Sequence, residues 1–401
     1  MSIALLQLGS GTLGALDALS GIEKGFSTLE IGLIGSAHFV GFFVGFWLSP
    51  RLICAVSHAR AFAGFAAFGA ISAIGHPLWI DAYFWVVLRI LTGFCVAGSY
   101  TVVEAWLQAS AVNENRGRVL GVYRSVDLGA SVVSQLMIAI LEPAHYVSYN
   151  LLAIICCASL LPLVLTQSQA PVTTHAPRLH LLRTIKTSPL AVAGVAVAGV
   201  TAASFRMIGP VYGQQHGLSV KELAVFLSLF MLGGAIAQTP VGWIADRFDR
   251  RWVINLFSLV SILSCLLVIE FGTSSRSAML VTTFIFGMAT YPLFSLATAH
   301  ASDFTPSDQM VELSAALMFF YGVGAIVSPA LASYLITSHG TTMLFAMIGG
   351  AHFLLAIFGF YRLLIGDNAG VRRRYRYMPR TSFIFTRLTA RDVENNTTVR
   401  K

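Results

Sequence analysis

Apolar runs of membrane-crossing length recur along almost the whole chain, separated by short polar breaks. A spanning helix needs roughly 20 mostly apolar residues. About twelve segments meet that need, near residues 3–19, 29–48, 61–74, 83–108, 119–141, 146–165, 190–212, 224–244, 253–271, 278–299, 313–336 and 342–364. The runs are continuous rather than alternating at every second residue, so they predict helices and not the strands of a barrel. Composition agrees: 56% of residues are hydrophobic, 11% are charged and the mean hydropathy is +0.74, whereas soluble domains carry about 25% charged residues. The pattern predicts an all-α, multi-pass membrane protein. Its first segment begins at Met1 with neither a basic leader nor a small-residue cleavage site behind it, and so reads as a span rather than a removed signal peptide.

Charge adds orientation. Arg51, Arg60, Arg116, Arg118, Arg178, Arg183, Lys186, Arg247, Arg250 and Arg251 fall in alternate breaks, and the tail after Gly366 adds many more arginines. The intervening breaks carry only Lys24, Lys221 and Arg276. Basic loops stay on the cytoplasmic side, which predicts both termini in the cytoplasm of a bacterial-type inner membrane. The formal net charge of +8 is then topological and gives no reason to invoke nucleic acid. Cys54, Cys95, Cys156, Cys157 and Cys265 lie in or beside apolar segments without metal-ligand spacing, so neither disulfides nor a metal site is expected.

The polar break at 166–187, with Pro171 and Pro177, divides the spans six plus six. Residues 1–165 and 188–365 then form two six-helix halves, and 366–401 a basic tail expected to be disordered, with weak attraction to anionic lipid. The halves resemble one another at an offset of about 195 residues: Gly129-Ala-Ser-Val-Val-Ser134 matches Gly324-Ala-Ile-Val-Ser-Pro329, and Gly93 falls near Gly287. Paired six-helix repeats predict a transporter with its site near the midplane between them.

The sharpest motif is Gly242-Trp-Ile-Ala-Asp-Arg-Phe-Asp-Arg-Arg251. It resembles the inter-helix signature of the major facilitator superfamily, Gly-x-x-x-Asp-Arg-x-Gly-Arg-Arg, with Asp249 in place of the second Gly. The resemblance implies a conformational latch built from Gly242, Asp246, Arg247, Arg250 and Arg251, with the Asp pairing across the halves. In the corresponding first-half loop Ser49 and Pro50 occupy the acidic position. Arg89-Ile-Leu-Thr-Gly93 resembles a second family signature, whose Arg is implied to serve proton coupling or substrate contact. Tyr100-Thr-Val-Val-Glu-Ala-Trp-Leu107, Asn115-Arg-Gly-Arg118, Ile31-Gly-Leu-Ile-Gly-Ser36, Pro50-Arg-Leu-Ile53 and Ala299-His-Ala-Ser-Asp303 are similar to the YcaD-like branch of that superfamily. The likeness covers nearly the whole chain up to the tail.

Charges inside spans are costly and normally face a cavity or a partner. Glu104, Arg124 and Asp127 fall on two neighbouring segments, with Arg124 and Asp127 three residues apart on one face. Such a cluster could bind and release a proton as its ion contacts change. Asp17 and Arg206, near the outward ends of the first and seventh segments, are expected to oppose each other across the cavity. His300 and Asp303 end the tenth segment, where a histidine could transfer protons. His38 and His352 read as packed polar residues. Tyr291-Pro292 should bend the tenth helix, and Gly322, Gly324 and Pro329 weaken the eleventh. Tyr100, Trp106, Tyr123 and Tyr291 could line a pocket for an organic solute.

Catalytic and ATP-driven classes find no support. The chain has no Walker loop and no His-Glu-x-x-His, and Gly9-Ser-Gly-Thr12 lacks the strand of a nucleophile elbow. The sequence therefore reads as a non-enzymatic secondary transporter of a small organic solute. It works by alternating access, coupled to protons, as a monomer without cofactors. The competing readings are an uncoupled uniporter and a transporter-like sensor or assembly protein that moves nothing.

Overall fold

A computed structural model describes residues 1–110, 116–165, 180–306, 309–365 and 375. The central loop before His180 and the tail other than Tyr375 lie outside the described residues. Among the described residues the regular structure is helical. The first half contains α1 (Ser2–Glu23), α2 (Thr28–Val56), α3 (His58–Leu78), α4 (Ala82–Ser110), α5 (Arg116–Leu136), a 3-10 turn at Met137–Ile140, α6 (Tyr146–Ala158) and α7 (Leu161–Val164). A short α8 (Leu181–Thr187) leads to the second half. There α9 (Pro189–Gln215), α10 (Val220–Arg247), α11 (Arg250–Phe271), α12 (Arg276–Thr290), α13 (Leu293–Ser302), α14 (Met310–His339) and α15 (Met343–Ile365) follow.

Eleven of these units are long and apolar enough to cross a membrane, with α6–α7 and α12–α13 each counting once. The twelfth predicted segment, α5, forms a helix but falls short on composition, because Arg116, Arg118, Arg124 and Asp127 interrupt it. It packs against α1 and α10. The predicted break at Tyr291–Pro292 is present and separates α12 from α13. By contrast α14 runs unbroken through Pro329. Helix α2 continues through Pro50 to Val56, beyond the apolar run that announced it, and Ser57 turns the chain directly into α3 with a φ of 82°.

The internal repeat is physical. At the entry to α2, Gly25 has a φ of 82°, and Ser27 and Glu30 cap the helix reciprocally. At the entry to α10, Gly217 (φ 75°), Ser219 and Glu222 build the same device. Each box satisfies orphan N–H groups at a helix start. The helices behind these caps pack on glycines in matching ways. A Cβ on Gly41 would strike the Ile90 carbonyl and one on Gly93 the His38 carbonyl, which holds α2 against α4. In the second half Gly233 lies on the Phe284 carbonyl and Gly287 on the Phe230 carbonyl, which holds α10 against α12. Small residues let membrane helices approach backbone to backbone.

The helix turns carrying the basic loops define one arginine-rich face. The halves meet between mid-depth and the opposite, arginine-poor face. Gly32 sits on Ser333 and on the Pro329 carbonyl, Gly35 on Met207, and Phe43 on Phe319 with ring centroids 5.3 Å apart. The backbone N–H of Ala330, in the turn containing Pro329, donates to Ser36 Oγ at 3.1 Å. These contacts seal the arginine-poor end.

Candidate functional site

Two buried polar clusters occupy the first half. The one nearer the sealed end centres on Asp17 of α1, which is 2% exposed. Its Oδ2 lies 3.4 Å from Arg89 Nε of α4 and 3.4 Å from His76 Nε2 of α3. Tyr149 of α6 donates its hydroxyl to Asp17 Oδ1 at 3.2 Å. The ring of His76 stacks on Tyr149, and its Nδ1 lies 2.7 Å from the Ser72 carbonyl. A carbonyl only accepts, so Nδ1 carries a proton and Nε2 faces the carboxylate. A second proton, on the imidazole or on Asp17, turns that contact into a hydrogen bond. Arg89 also reaches the second half, with its Nη2 3.8 Å from Met207 Sδ.

This differs from the expected Asp17–Arg206 pair. Helices α1 and α9 do pack together, but Met207 is the residue that meets Gly14 and Arg89. Successive helical residues point about 100° apart, since 3.6 make a turn, so Arg206 is aimed elsewhere. It is half-buried and close enough to interact with the charges of Arg89, His38 and Asp127.

The second cluster lies toward the arginine-rich side. Tyr123 donates to Glu104 Oε1 at 2.7 Å. The Tyr100 hydroxyl lies 2.9 Å from Asp127 Oδ1 and 2.7 Å from Gln7 Oε1. Of the expected Glu104–Arg124–Asp127 cluster, the two carboxyl groups each meet a tyrosine hydroxyl, and Asp127 bonds to Tyr100 rather than to Arg124. The sequence did not single out His76, Tyr149, Gln7 or Ser131. A histidine in Gly75-His-Pro77 and a glutamine inside an apolar run were the available signals.

The four aromatic residues expected to share a pocket are dispersed. Tyr100 and Tyr123 serve the second cluster. Trp106 packs its ring on His58 at 5.9 Å. Tyr291 packs against Gly234 and Phe230 in the other half. His352 Nε2 meets Thr201 Oγ1 at 3.1 Å, while its Nδ1 has no hydrogen-bond partner among the described residues. His38 is buried beside Phe39, and its Nδ1 has no hydrogen-bond partner among the described residues.

At the α10–α11 turn, Arg250 is buried and donates to the Ala299 carbonyl at 2.8 Å and to Asp303 at 2.6 Å, while approaching Asp246 at 3.4 Å. Asp303 is thus an anchor for Arg250, and His300 packs on Phe304 beside it. Arg247 lies over the Trp243 ring at 3.8 Å. Asp246 also accepts from the backbone N–H of Tyr375, whose hydroxyl donates to Gln238 at 2.7 Å. Among the described residues the latch thus closes on its own half and the tail, not across the halves. Asp249 departs from the family pattern for a local reason: it caps α11 by accepting from the Arg251 backbone at 2.9 Å, and pairs with the Arg251 side chain at 2.9 Å. Burial raises its carboxyl affinity for protons, but the Arg251 hydrogen bonds and charge outweigh this and hold it below the usual carboxylate range.

Comparisons with known proteins agree with this architecture. The family model for the Major Facilitator Superfamily matches residues 2–229 and 194–382. An uncharacterized MFS-type transporter, Ent638_1421 of Enterobacter sp. (strain 638), is 27% identical over 370 residues, covering 92% of this chain and 94% of the relative. The uncharacterized MFS-type transporter YcaD of Salmonella heidelberg (strain SL476) is 26% identical over 375 residues, with the same coverage. Among solved structures, the nucleoside transporter NupG superposes with a TM-score of 0.74 at 13% identity, over 90% of this chain and 97% of that one. A bacterial homolog of the lysosomal transporter Spinster, inward-facing and unoccupied, gives 0.69 at 12%, over 98% and 97%. At such identity these structures speak for the fold alone. With a family model spanning both halves, relatives matched end to end and a repeated six-helix plan, this chain belongs to the major facilitator superfamily and resembles its YcaD-like members.

Proposed function

We propose that this protein is a proton-coupled secondary transporter of a small organic solute, working by alternating access in a bacterial-type inner membrane as a monomer. In this reading the arginine-rich face is cytoplasmic, both termini lie there, and the contacts between the halves at the arginine-poor end close the outward side.

The observation that carries the reading is the buried Asp17–Arg89–His76–Tyr149 cluster. Four polar side chains from α1, α3, α4 and α6 converge in the membrane-spanning region, where charge is costly and tends to mark ion or substrate pathways. Arg89 also touches Met207 of the opposite half. Rocking of the halves therefore changes the surroundings of a charged residue already engaged with Asp17, which is how conformational change can be tied to protonation. Glu104, Arg124 and Asp127 form the second coupling group. Asp246, Arg247, Arg250 and Arg251 are assigned to the latch that secures the other conformation.

Proteoliposomes holding the pH-reporting dye pyranine test this. Compounds from a metabolite library are added one at a time under an imposed pH gradient. A compound that drives proton movement through the wild-type protein but not through Asp17→Asn supports the reading. Solute flux that ignores the gradient identifies a uniporter. Binding by thermal shift without any flux identifies a sensor and overturns transport.

A further inference from the structure

The hydrogen bonds around Tyr100 contain one donor too few unless a carboxyl group supplies it. The chain of contacts begins at the Asp127 backbone carbonyl, which can only accept. Ser131 gives it the single hydroxyl proton, at 2.8 Å. Ser131 Oγ must then accept from Gln7, whose Nε2 lies 2.8 Å away. That fixes the amide of Gln7 and leaves its Oε1, an acceptor, facing the Tyr100 hydroxyl at 2.7 Å. The same hydroxyl faces Asp127 Oδ1 at 2.9 Å. Tyr100 has one proton for two acceptors.

If Tyr100 donates to an ionised Asp127, two oxygen lone pairs oppose each other at the Gln7 contact. Tyr100, Gln7 and Asp127 are all buried, so water is poorly placed to relieve that conflict, and an unmade bond there is expensive. If Asp127 carries a proton, every contact becomes a hydrogen bond. Asp127 donates to Tyr100, Tyr100 to Gln7 Oε1, Gln7 Nε2 to Ser131 and Ser131 to the Asp127 carbonyl. The ring closes on the residue where it started, and its bonds polarise one another in one direction.

We infer that Asp127 is a neutral carboxylic acid in this conformation, held by a closed ring of Tyr100, Gln7 and Ser131. The groups around Asp127 divide clearly. Glu104 and Tyr123 lie one helical turn from Tyr100 and Asp127 on the same two helices, and a negative Glu104 opposes a second negative charge. Arg124 is on the same helix as Asp127. Helix α1 contributes the uncharged Gln7. Helix α10, which packs on α5, has no ionisable side chain between Glu222 and Asp246. Arg206 is the cation in the second half that interacts with Asp127. The ring lies wholly within the first half, on α1, α4 and α5. The protonation itself does not depend on the transport reading; its role as a coupling step does.

Infrared difference spectroscopy of the purified protein in lipid nanodiscs tests this. The expected result is a protonated-carboxyl stretch at neutral pH that is absent from Asp127→Asn and retained in Glu104→Gln. The pH at which the band bleaches should fall in Gln7→Leu, because the Tyr100 hydroxyl is then free to donate to the ionised carboxylate. If Asp127→Asn does not fold, the bleaching comparison between wild type and Gln7→Leu decides alone. Absence of the band in folded wild-type protein, its persistence in Asp127→Asn, or an unmoved bleaching pH in Gln7→Leu overturns the proposal. A band that behaves as expected in a protein that moves no protons in the pyranine assay sinks the transport reading and leaves the acid in place.

Discussion

Glu104 of α4 accepts the hydroxyl proton of Tyr123 of α5 at 2.7 Å, and neither side chain is open to solvent. One turn away Tyr100 and Asp127 meet with the residue types exchanged between the helices. The arrangement follows from the antiparallel course of the two helices, bridged here by long side chains. Residues four apart share a helix face, so Tyr100 and Glu104 on α4 run opposite Asp127 and Tyr123 on α5. Each carboxyl group meets a phenol rather than another carboxyl group.

The crossed pairs separate coupling from stability at Glu104. Gln can still accept from Tyr123, so Glu104→Gln should keep its folded yield while losing gradient-driven accumulation of solute. Tyr123→Phe removes the donor and should lower unfolding stability by about 1–3 kcal/mol. Detergent unfolding and proteoliposome flux measure the two effects separately. Full concentrative transport by Glu104→Gln would exclude it as a coupling residue.

Arg89 is 1% exposed and stands against Asp17. Deleting one member of a buried ion pair strands the other, at a cost of about 3–5 kcal/mol. Arg89→Ala should therefore unfold much more readily than wild type, and adding Asp17→Asn should restore a substantial part of the loss. A double-mutant cycle by denaturant titration reads this coupling; additive losses would mean the pair is energetically idle.

The glycine contacts make a prediction about the repeat. Gly93→Ala places a methyl group on the His38 carbonyl and Gly287→Ala one on the Phe230 carbonyl. Overpacking of this kind costs about 1–3 kcal/mol. The two substitutions should reduce thermal stability alike, whereas Gly64→Ala, where a Cβ meets open space, should not.

Gly32 lies at the seal between the halves, against Ser333 and the Pro329 carbonyl. Gly32→Leu should prop that end open and shift the population toward the opposite conformation. Spin-label distances between α2 and α14 should lengthen near the arginine-poor face. An unchanged distance distribution would mean that this contact does not set the equilibrium.

Asp249 makes stability depend on pH. Its folded-state proton affinity lies below the ordinary aspartate range, so its contribution is fully present above the unfolded pKa of about 3.9. That contribution is lost as pH falls through the lower folded value. Asp249→Asn keeps a capping side chain and should flatten this acid limb. Asp249→Ala should cost about 1 kcal/mol near neutrality through loss of the cap. Thermal unfolding from neutral to acidic pH distinguishes the two.

Helix class, the break at Tyr291–Pro292 and the two-half plan were legible because each rests on local signals: run length, a proline and repeated small residues. The repeat has a further local signal: Gly25-Phe-Ser-Thr-Leu-Glu30 and Gly217-Leu-Ser-Val-Lys-Glu222 are the same turn and capping box, and they align the halves more firmly than the small-residue matches do. The site was only half legible. Glu104 and Asp127 stand out in the sequence as charges within apolar surroundings, but their phenol partners depend on helix phase and register, which hydropathy does not encode.

The sequence by itself determined that this chain buries its apolar runs as membrane helices in two related halves, since lipid demands internally bonded backbone. Tertiary structure decided the partners. It set Asp17 against Arg89 and His76 and turned Met207 toward them in place of Arg206. It also closed the ring through Gln7, Tyr100, Asp127 and Ser131. A side chain's neighbours across an interface depend on the crossing and rotation of both helices, and one residue of rotation, about 100°, exchanges one partner for another.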